Sequence, residues 1–313
     1  MVPRFPSLFM TDGILGHRAW IKKLSKKFKP FHVRLCMEAT GIYYLQAAKF
    51  FHEKKGFAVI VANPAQVKSF AGAELIRTKT DPVDAGLIAR FAMAMSDRLP
   101  EWTPPSASEE EILRIVRHMD ALKKMRQAEE NRLHALDASG VDAPDVRMSV
   151  SEMISFIDGQ VKALEKRLRD IAGGDPDIGE DIRLLRSIGG VGETTAFKLF
   201  AELGDVNRFE NGKQVVAYAG LAPCERTSGS SVRGKPRINK HGSEELRTPL
   251  YFPAITATKC NPVIKEFYER LLLAGKVKMV AVVACMKKLL LLAYGVLKNK
   301  EMFDANHRKQ ILA

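Results

Sequence analysis

Two short apolar runs near the start of the chain, "HVRLCMEA" (His32–Ala39) and "FAVIVAN" (Phe57–Asn63), limit the fold more than any other feature. Each has the length of one strand and is rich in β-formers, the pattern of a buried strand. Helical patterns separate and follow them: "GHRAWIKKLSKKF", "IYYLQAAKFFHEKKG" and "DPVDAGLIARFAMAM". Strands alternating with helices predict an α/β layer with a mainly parallel sheet. The polar, proline-rich "EWTPPSAS" (Glu101–Ser108) then reads as a linker, closing a first domain over residues 1–105.

The next stretch, Glu109–Ala172, is charged and helical. "EEEILRIVRHMDALKKMRQAEENRLHAL" and "SEMISFIDGQVKALEKRLRDIA" carry apolar residues near three-and-four spacing, and "DASGVDAPDV" parts them. Two long helices joined by a turn predict an antiparallel hairpin over 106–175, either a coiled coil used for assembly or an ordinary intramolecular pair. After "GGDPDIG" the chain is basic and mainly helical, a third domain over 176–313. Its most apolar segment, "MVAVVACMKKLLLLAYGVL", is interrupted by Lys287 and Lys288 and reads as a core helix with a basic stripe, not a membrane span.

The formal net charge of +13 favours a polyanionic partner, nucleic acid above all, although a merely basic soluble protein has the same composition. The cysteines Cys36, Cys224, Cys260 and Cys285 form no CxxC or Cys/His cluster, so neither a zinc site nor a disulfide framework is expected. A reduced, cytoplasmic setting fits them. Prolines interrupt "MVPRFPSLFMTDG" where a signal peptide needs a continuous apolar core.

Three constellations could carry chemistry. Glu38 ends the first apolar run, and the carboxyl end of a strand is where sites of open α/β sheets gather. Asp81 and Asp84, in "TDPVDA", lie three apart on one helix face. Together the three carboxylates could hold Mg²⁺. The alternative is structural: Asp81 as N-cap before Pro82, Asp84 in the first turn, and Glu38 paired with an arginine. The second constellation, "LLRSIGGVGETTAFKLFAEL", matches a helix-hairpin-helix pattern. Backbone N–H groups of Gly190 and Gly192, with the next helix start, could hold a phosphate, or the turn could merely join packed helices.

The third is "APCERTSGSSVRGKPRINKHG" (Ala222–Gly242), read as a flexible or tightly turned loop. Thr227, Ser228, Ser230 and Ser231 stand among Arg226, Arg233, Lys235, Arg237 and Lys240. His241 has no evident acid partner and no GxSxG is present, so acyl chemistry is not expected. Cations around a serine suit phosphate, with or without a covalent step.

In order along the chain, "MEATGIYY", "VANPAQVKSFA", "RTKTDPVDAGLIA", "SIGGVGETTA", "YAGLAPCERTSGSSVRGKPRINKHG" and "LRTPLY" resemble the IS110 family of insertion-sequence transposases. The resemblance implies an N-terminal RNase H/RuvC-like domain with a DEDD acidic set, followed by a C-terminal transposase domain. It implies DNA recombination at element ends and targets, guided by a structured non-coding RNA. The second, third and fourth acids fall on Glu38, Asp81 and Asp84. The family's catalytic serine falls on Ser228, which would form a transient phosphoserine link to DNA with Mg²⁺ on the acids. Acids and serine would meet between subunits of a homo-oligomer, a dimer or tetramer.

The sequence also departs from that pattern. The strand bearing the first Asp is missing from "MVPRFPSLFM", and the match begins near Thr11-Asp12-Gly13, where Asp12 reads as a helix N-cap. The expectation is an N-terminally truncated chain whose sheet lacks its leading strands and whose metal set lacks one carboxylate. Gly189 replaces the family's usual Pro, and Pro249 should bend or start a helix. Two other functions stay open: a non-catalytic DNA- or RNA-binding remnant, and a metal nuclease with water as nucleophile.

Overall fold

The two apolar runs fold as β1 (Val33–Glu38) and β2 (Phe57–Ala62), paired in parallel with Val33 opposite Phe57 and Glu38 opposite Ala62. Parallel neighbours need a crossover, which α1 (Tyr43–His52) supplies. The computed structural model describes residues 32–306 apart from 40, 42, 79, 229–231 and 239–241, together with Lys22 and Lys26; for 225–228 and 232–237 it describes the backbone. The reading of Asp12 as an N-cap lies outside the described residues. The chain divides into two units, Met1–Pro104 and Pro105–Ala313.

In the first unit the strand period of two separates two clusters. Val59 packs with Ala48 and Phe51 of α1, joined by Leu35, Met37 and Val61. Ile60 and Ala62, with Cys36, pack instead with Val67, Leu87 and Phe91 of α2 (Pro64–Ala73) and α3 (Asp81–Ala94). Successive side chains point to opposite faces, so a strand covered on both sides must be apolar throughout. Burial raises the Cys36 thiol to about 11, so it is a packing group and not a nucleophile.

Helix α2 was not separated in the sequence reading, although its start is signalled locally. Asn63 accepts a hydrogen bond from the N–H of Ala65 at 2.8 Å, and Pro64 takes the first helical position. Helix α3 begins one residue earlier than expected. Thr80 is its N-cap, making no side-chain capping bond, and Asp81 lies inside the helix, so Asp81 is not the cap. The expected linker is partly tied down: the N–H of Trp102 donates to the carbonyl of Val59 at 2.7 Å, and its ring joins the α1 cluster.

The second unit starts with α4 (Ala107–Ser139) and α5 (Pro144–Gly174), an antiparallel pair. A capping box between Ser106 and Glu109 opens α4, and Gly140, at φ 66°, ends it. Ion pairs Glu111–Arg167 (2.8 Å), Asp158–Arg126 (2.7 Å) and Asp137–Arg147 (2.6 Å) step in opposite directions along the two helices. Val150, Ile157, Leu164 and Ile171 recur every seven residues along the inner seam of α5. At its base the pair joins the main core. Arg117 of α4 donates twice, at 3.0 and 3.1 Å, to Glu202, a carboxylate only 7% exposed.

That core surrounds α12 (Lys278–Asn299), whose Cys285, Leu289, Leu290 and Ala293 are fully buried. By length and composition α12 could cross a membrane, but 56% of its apolar window is buried inside the fold, as a core helix with lysines requires. Around it lie α6 (Pro176–Arg186), α7 (Glu193–Leu203), α8 (Gly212–Tyr218), the short α9 (Glu244–Arg247), α10 (Tyr251–Cys260) and α11 (Pro262–Leu273). Pro249 sits in a 3₁₀ turn, Thr248–Leu250, that joins α9 to α10, the bend its fixed φ favours.

The stretch expected to be a loop is a β-hairpin. β3 (Pro223–Ser228) pairs antiparallel with β4 (Val232–Ile238), with an irregularity between Cys224 and Arg226. Its residues lack apolar alternation, the pattern by which a strand is recognised.

Candidate active site

Glu38 is the last residue of β1, partly buried, and the next N–H, of Ala39, donates to the carbonyl of Ala62 at 3.0 Å. Asp81 and Asp84 occupy the first turn of α3, a helix that packs against β1. The first turn of a helix carries N–H groups without intrahelical partners, and a carboxylate there is favoured. The fold thus brings the acids onto two adjoining elements of one unit. Three carboxylates are the right donor chemistry for a hard divalent cation. Their placement stops short of a finished centre: among the described residues no group of three or more His, Cys, Asp or Glu stands close enough to hold a metal.

The Gly-rich turn joins α6 to α7. Gly190 has φ +100°, and a Cβ there would stand 2.7 Å from the Cβ of Ala257 on α10. Only glycine meets both conditions. Asn261, fully buried, holds the same turn: its Nδ2 donates to the carbonyl of Gly189 at 3.2 Å, while its Oδ1 accepts from the N–H groups of Val263 and Ile264 and caps α11. Gly192 is the N-cap of α7, and the space where its Cβ would stand is open. Of the two glycines, Gly190 is used up in packing while Gly192 faces open space. Asn261 escaped the sequence reading, although an Asn before a Pro at a helix start is a legible cap signal.

The serine hairpin is pinned at its base. The N–H of Ser243 donates to the carbonyl of Tyr218 at 2.7 Å, and Arg247 Nη1 to the carbonyl of Ala219 at 3.1 Å. Gly242 lies so close to the end of α8 that a Cβ would stand 2.2 Å from the nitrogen of Gly220. From that base β3 and β4 run to a last pair, Ser228 opposite Val232, next to the three-residue connection 229–231. Arg226 pairs with Gly234 and Thr227 with Arg233, while Lys235 and Arg237 lie on β4. Ser230, Ser231 and Lys240 lie outside the described residues. The acids and Ser228 belong to different units.

Comparison with known proteins places both halves in one family. Residues 182–269 match the family described as Transposase IS116/IS110/IS902 family, and residues 9–136 match a DEDD transposase domain of IS110 type. The chain is 29% identical over 296 residues, 94% of its length and 88% of the relative's, to a pilin gene-inverting protein of Moraxella bovis. It is 26% identical over 220 residues, 62% of its length and 58% of the relative's, to the transposase for insertion sequence element IS1111A of Coxiella burnetii. The chain therefore belongs to the IS110/IS116/IS902 family of transposases, enzymes that act on DNA.

Proposed function

We propose that this chain is an insertion-sequence recombinase that cuts and rejoins DNA through a phosphoserine at Ser228. The observation that carries it is the position of Ser228 as the last paired residue of a basic hairpin, in a chain whose other half matches a DEDD transposase domain. The serine oxygen would attack the phosphorus of a DNA phosphodiester. The P–O bond to one sugar breaks as the P–Oγ bond forms, the serine proton passes to solvent, and the leaving sugar oxygen takes up a proton. A second sugar hydroxyl then attacks the phosphoserine, loses its proton and returns Ser228 to its hydroxyl form. The number of ester bonds is conserved, so exchange needs no outside energy source. Arg226, Arg233, Lys235, Arg237 and Lys240 would neutralise the strand, since cations stabilise charge developing at phosphorus.

Glu38, Asp81 and Asp84 are the carboxylates that would hold a divalent cation, Mg²⁺ by the hardness of its oxygen donors. When bound, that ion supplies charge neutralisation beside a phosphate. Residues 1–105 would form the RuvC-like domain, 106–175 the helical hairpin and 176–313 the transposase domain, with the backbone N–H of Gly192 and the start of α7 taking a phosphate in helix-hairpin-helix fashion while Gly190 sets the turn against Ala257. The working assembly would be a cytoplasmic homo-oligomer, dimer or tetramer, holding a structured guide RNA and two DNAs.

A second reading, a nucleic-acid binder without strand exchange, is favoured by the absence of a gathered carboxylate group among the described residues. Covalent trapping decides between them. The chain is mixed with the element's junction DNA, its RNA and Mg²⁺, then run on a denaturing gel. A protein–DNA adduct lost in Ser228→Ala is expected. No adduct, with DNA or RNA still retained under native conditions, would establish the binder. Cleavage unaffected by Ser228→Ala would point to water as the nucleophile.

A further inference from the structure

Beside the Gly-rich turn, the second unit contains a cleft of about 440 Å³ that neither the acids nor the serine hairpin uses. Arg169, near the end of α5, Arg183 and Arg186 of α6 and Glu193, the first residue of α7, line it, and Phe197 and Met302 add apolar surface. Two of these guanidinium groups, Arg169 and Arg186, face the Glu193 carboxylate. Glu193 Oε2 accepts from Arg169 Nη1 at 2.9 Å, while Arg186 Nη1 stands 3.9 Å from Oε1, too far for a hydrogen bond. Arg183 donates twice to Glu180, at 2.6 and 2.7 Å. The three arginine side chains are 50–59% exposed, so solvent and a ligand can reach each guanidinium. The cleft wall is fastened: the N–H of Phe303 donates to Ser187 Oγ at 2.8 Å, and Lys300 pairs with Asp181.

This arrangement has the chemistry of an anion site. Guanidinium forks match a pair of phosphate oxygens, and the start of α7 adds N–H groups without intrahelical partners. Glu193 already puts a two-oxygen anion at that place. It satisfies Arg169 and leaves Arg186 under-paired, so the cleft keeps an excess of positive charge.

We propose that this cleft holds one phosphodiester of a nucleic-acid backbone between Arg169 and Arg186, with Arg183 at its rim, and that Glu193 is an internal anion displaced when the phosphate enters. The inference rests on the nucleic-acid reading above and deepens it: Glu193 becomes a gate that weakens non-productive binding. DNA and RNA backbones share the chemistry, and the experiment separates them.

The test is fluorescence anisotropy over a salt series, with the full chain and two labelled probes, a duplex DNA and a single-stranded RNA. Arg169→Gln combined with Arg186→Gln should weaken binding about tenfold and reduce the slope of log K against log salt by about 1. Glu193→Gln should act in the opposite direction, tightening binding about threefold to tenfold as Arg169 is released and the competing negative charge beside Arg186 is removed. The opposite signs of the two variants at one cleft separate the proposal from a general loss of fold in the double variant. Loss on duplex alone assigns the site to DNA, loss on the single strand alone assigns it to RNA, and either supports the proposal. Binding unchanged or weaker in Glu193→Gln, or an unchanged salt slope in the double variant, would overturn it. Covalent trapping on the same preparations keeps the two ideas apart. An intact Ser228 adduct with unchanged slopes sinks the cleft alone, and changed slopes without an adduct sink the serine mechanism alone.

Discussion

The first unit hides its apolar residues in two small clusters on opposite faces of a two-stranded sheet, whereas the second gathers its own around one central helix. In the first, a single ring such as Phe91 makes up a large part of one cluster, where it meets Phe70 at 5.6 Å between centroids. In the second, dozens of side chains share the load, and polar residues such as Asn261 and Glu202 are buried only with their partners in place. The carboxylates thus stand on the thinner scaffold and the serine hairpin on the thicker one. A large core can carry strained or polar details, such as Gly190 and the base of the hairpin, that a small one cannot absorb.

The strongest attack on this contrast is Phe91→Ala. It should cost about 3–5 kcal/mol, the range for deleting a buried ring. Differential scanning calorimetry should show the transition of residues 1–104 fall while that of the larger unit stays. Equal movement of both would show one cooperative block and end the comparison. Gly190→Ala is the counterpart in the second unit. Positive φ and the approach to Ala257 together should cost about 2–4 kcal/mol, read as a lower denaturant midpoint for that unit. Little change would mean that α10 gives way easily.

A smaller effect, of opposite sign, is expected at Leu75. It closes α2 at φ 55°, where glycine is the usual residue, and is 80% exposed. Leu75→Gly should stabilise the first unit by about 0.5–1 kcal/mol, seen as a higher midpoint of its transition. The smallest effect concerns acid. The guanidinium of Arg167, hydrogen-bonded to Glu111, holds that carboxyl below its ordinary value. A depressed folded pKa means the contribution is present above the unfolded carboxylate value, about 4.3, and is lost as pH falls through the folded one. Glu111→Gln should slightly flatten the acid limb of the second unit's stability curve and leave neutral pH almost untouched.

Much of the first unit was legible because its signals are local. β1, β2 and α1 follow from apolar runs and periodicity, and only the exact start of α3 moved, from Pro82 to Asp81. The helical pair was legible for the same reason, its seam repeating every seven residues. Helix α2 was passed over although Asn63 and Pro64 announce it. The serine hairpin was read as a loop because strand recognition relies on alternating burial, and β3 and β4 are polar and basic along their length. The candidate site was legible as single residues and illegible as a geometry. Nothing in "SIGGVG" says that Gly190 is taken up by packing on Ala257 while Gly192 faces open space.

By itself the sequence determined the kind of layers, the helical pair, the excess positive charge and the family motifs, because each is written in neighbouring residues or in simple sums. Only the tertiary structure decided which glycine is packed and which is open, and that Ser228 ends a paired strand. It alone brought Arg169, Arg186 and Glu193 to one cleft. Those outcomes depend on contacts between residues far apart in the chain, and such contacts form only when separate elements bury their apolar faces together.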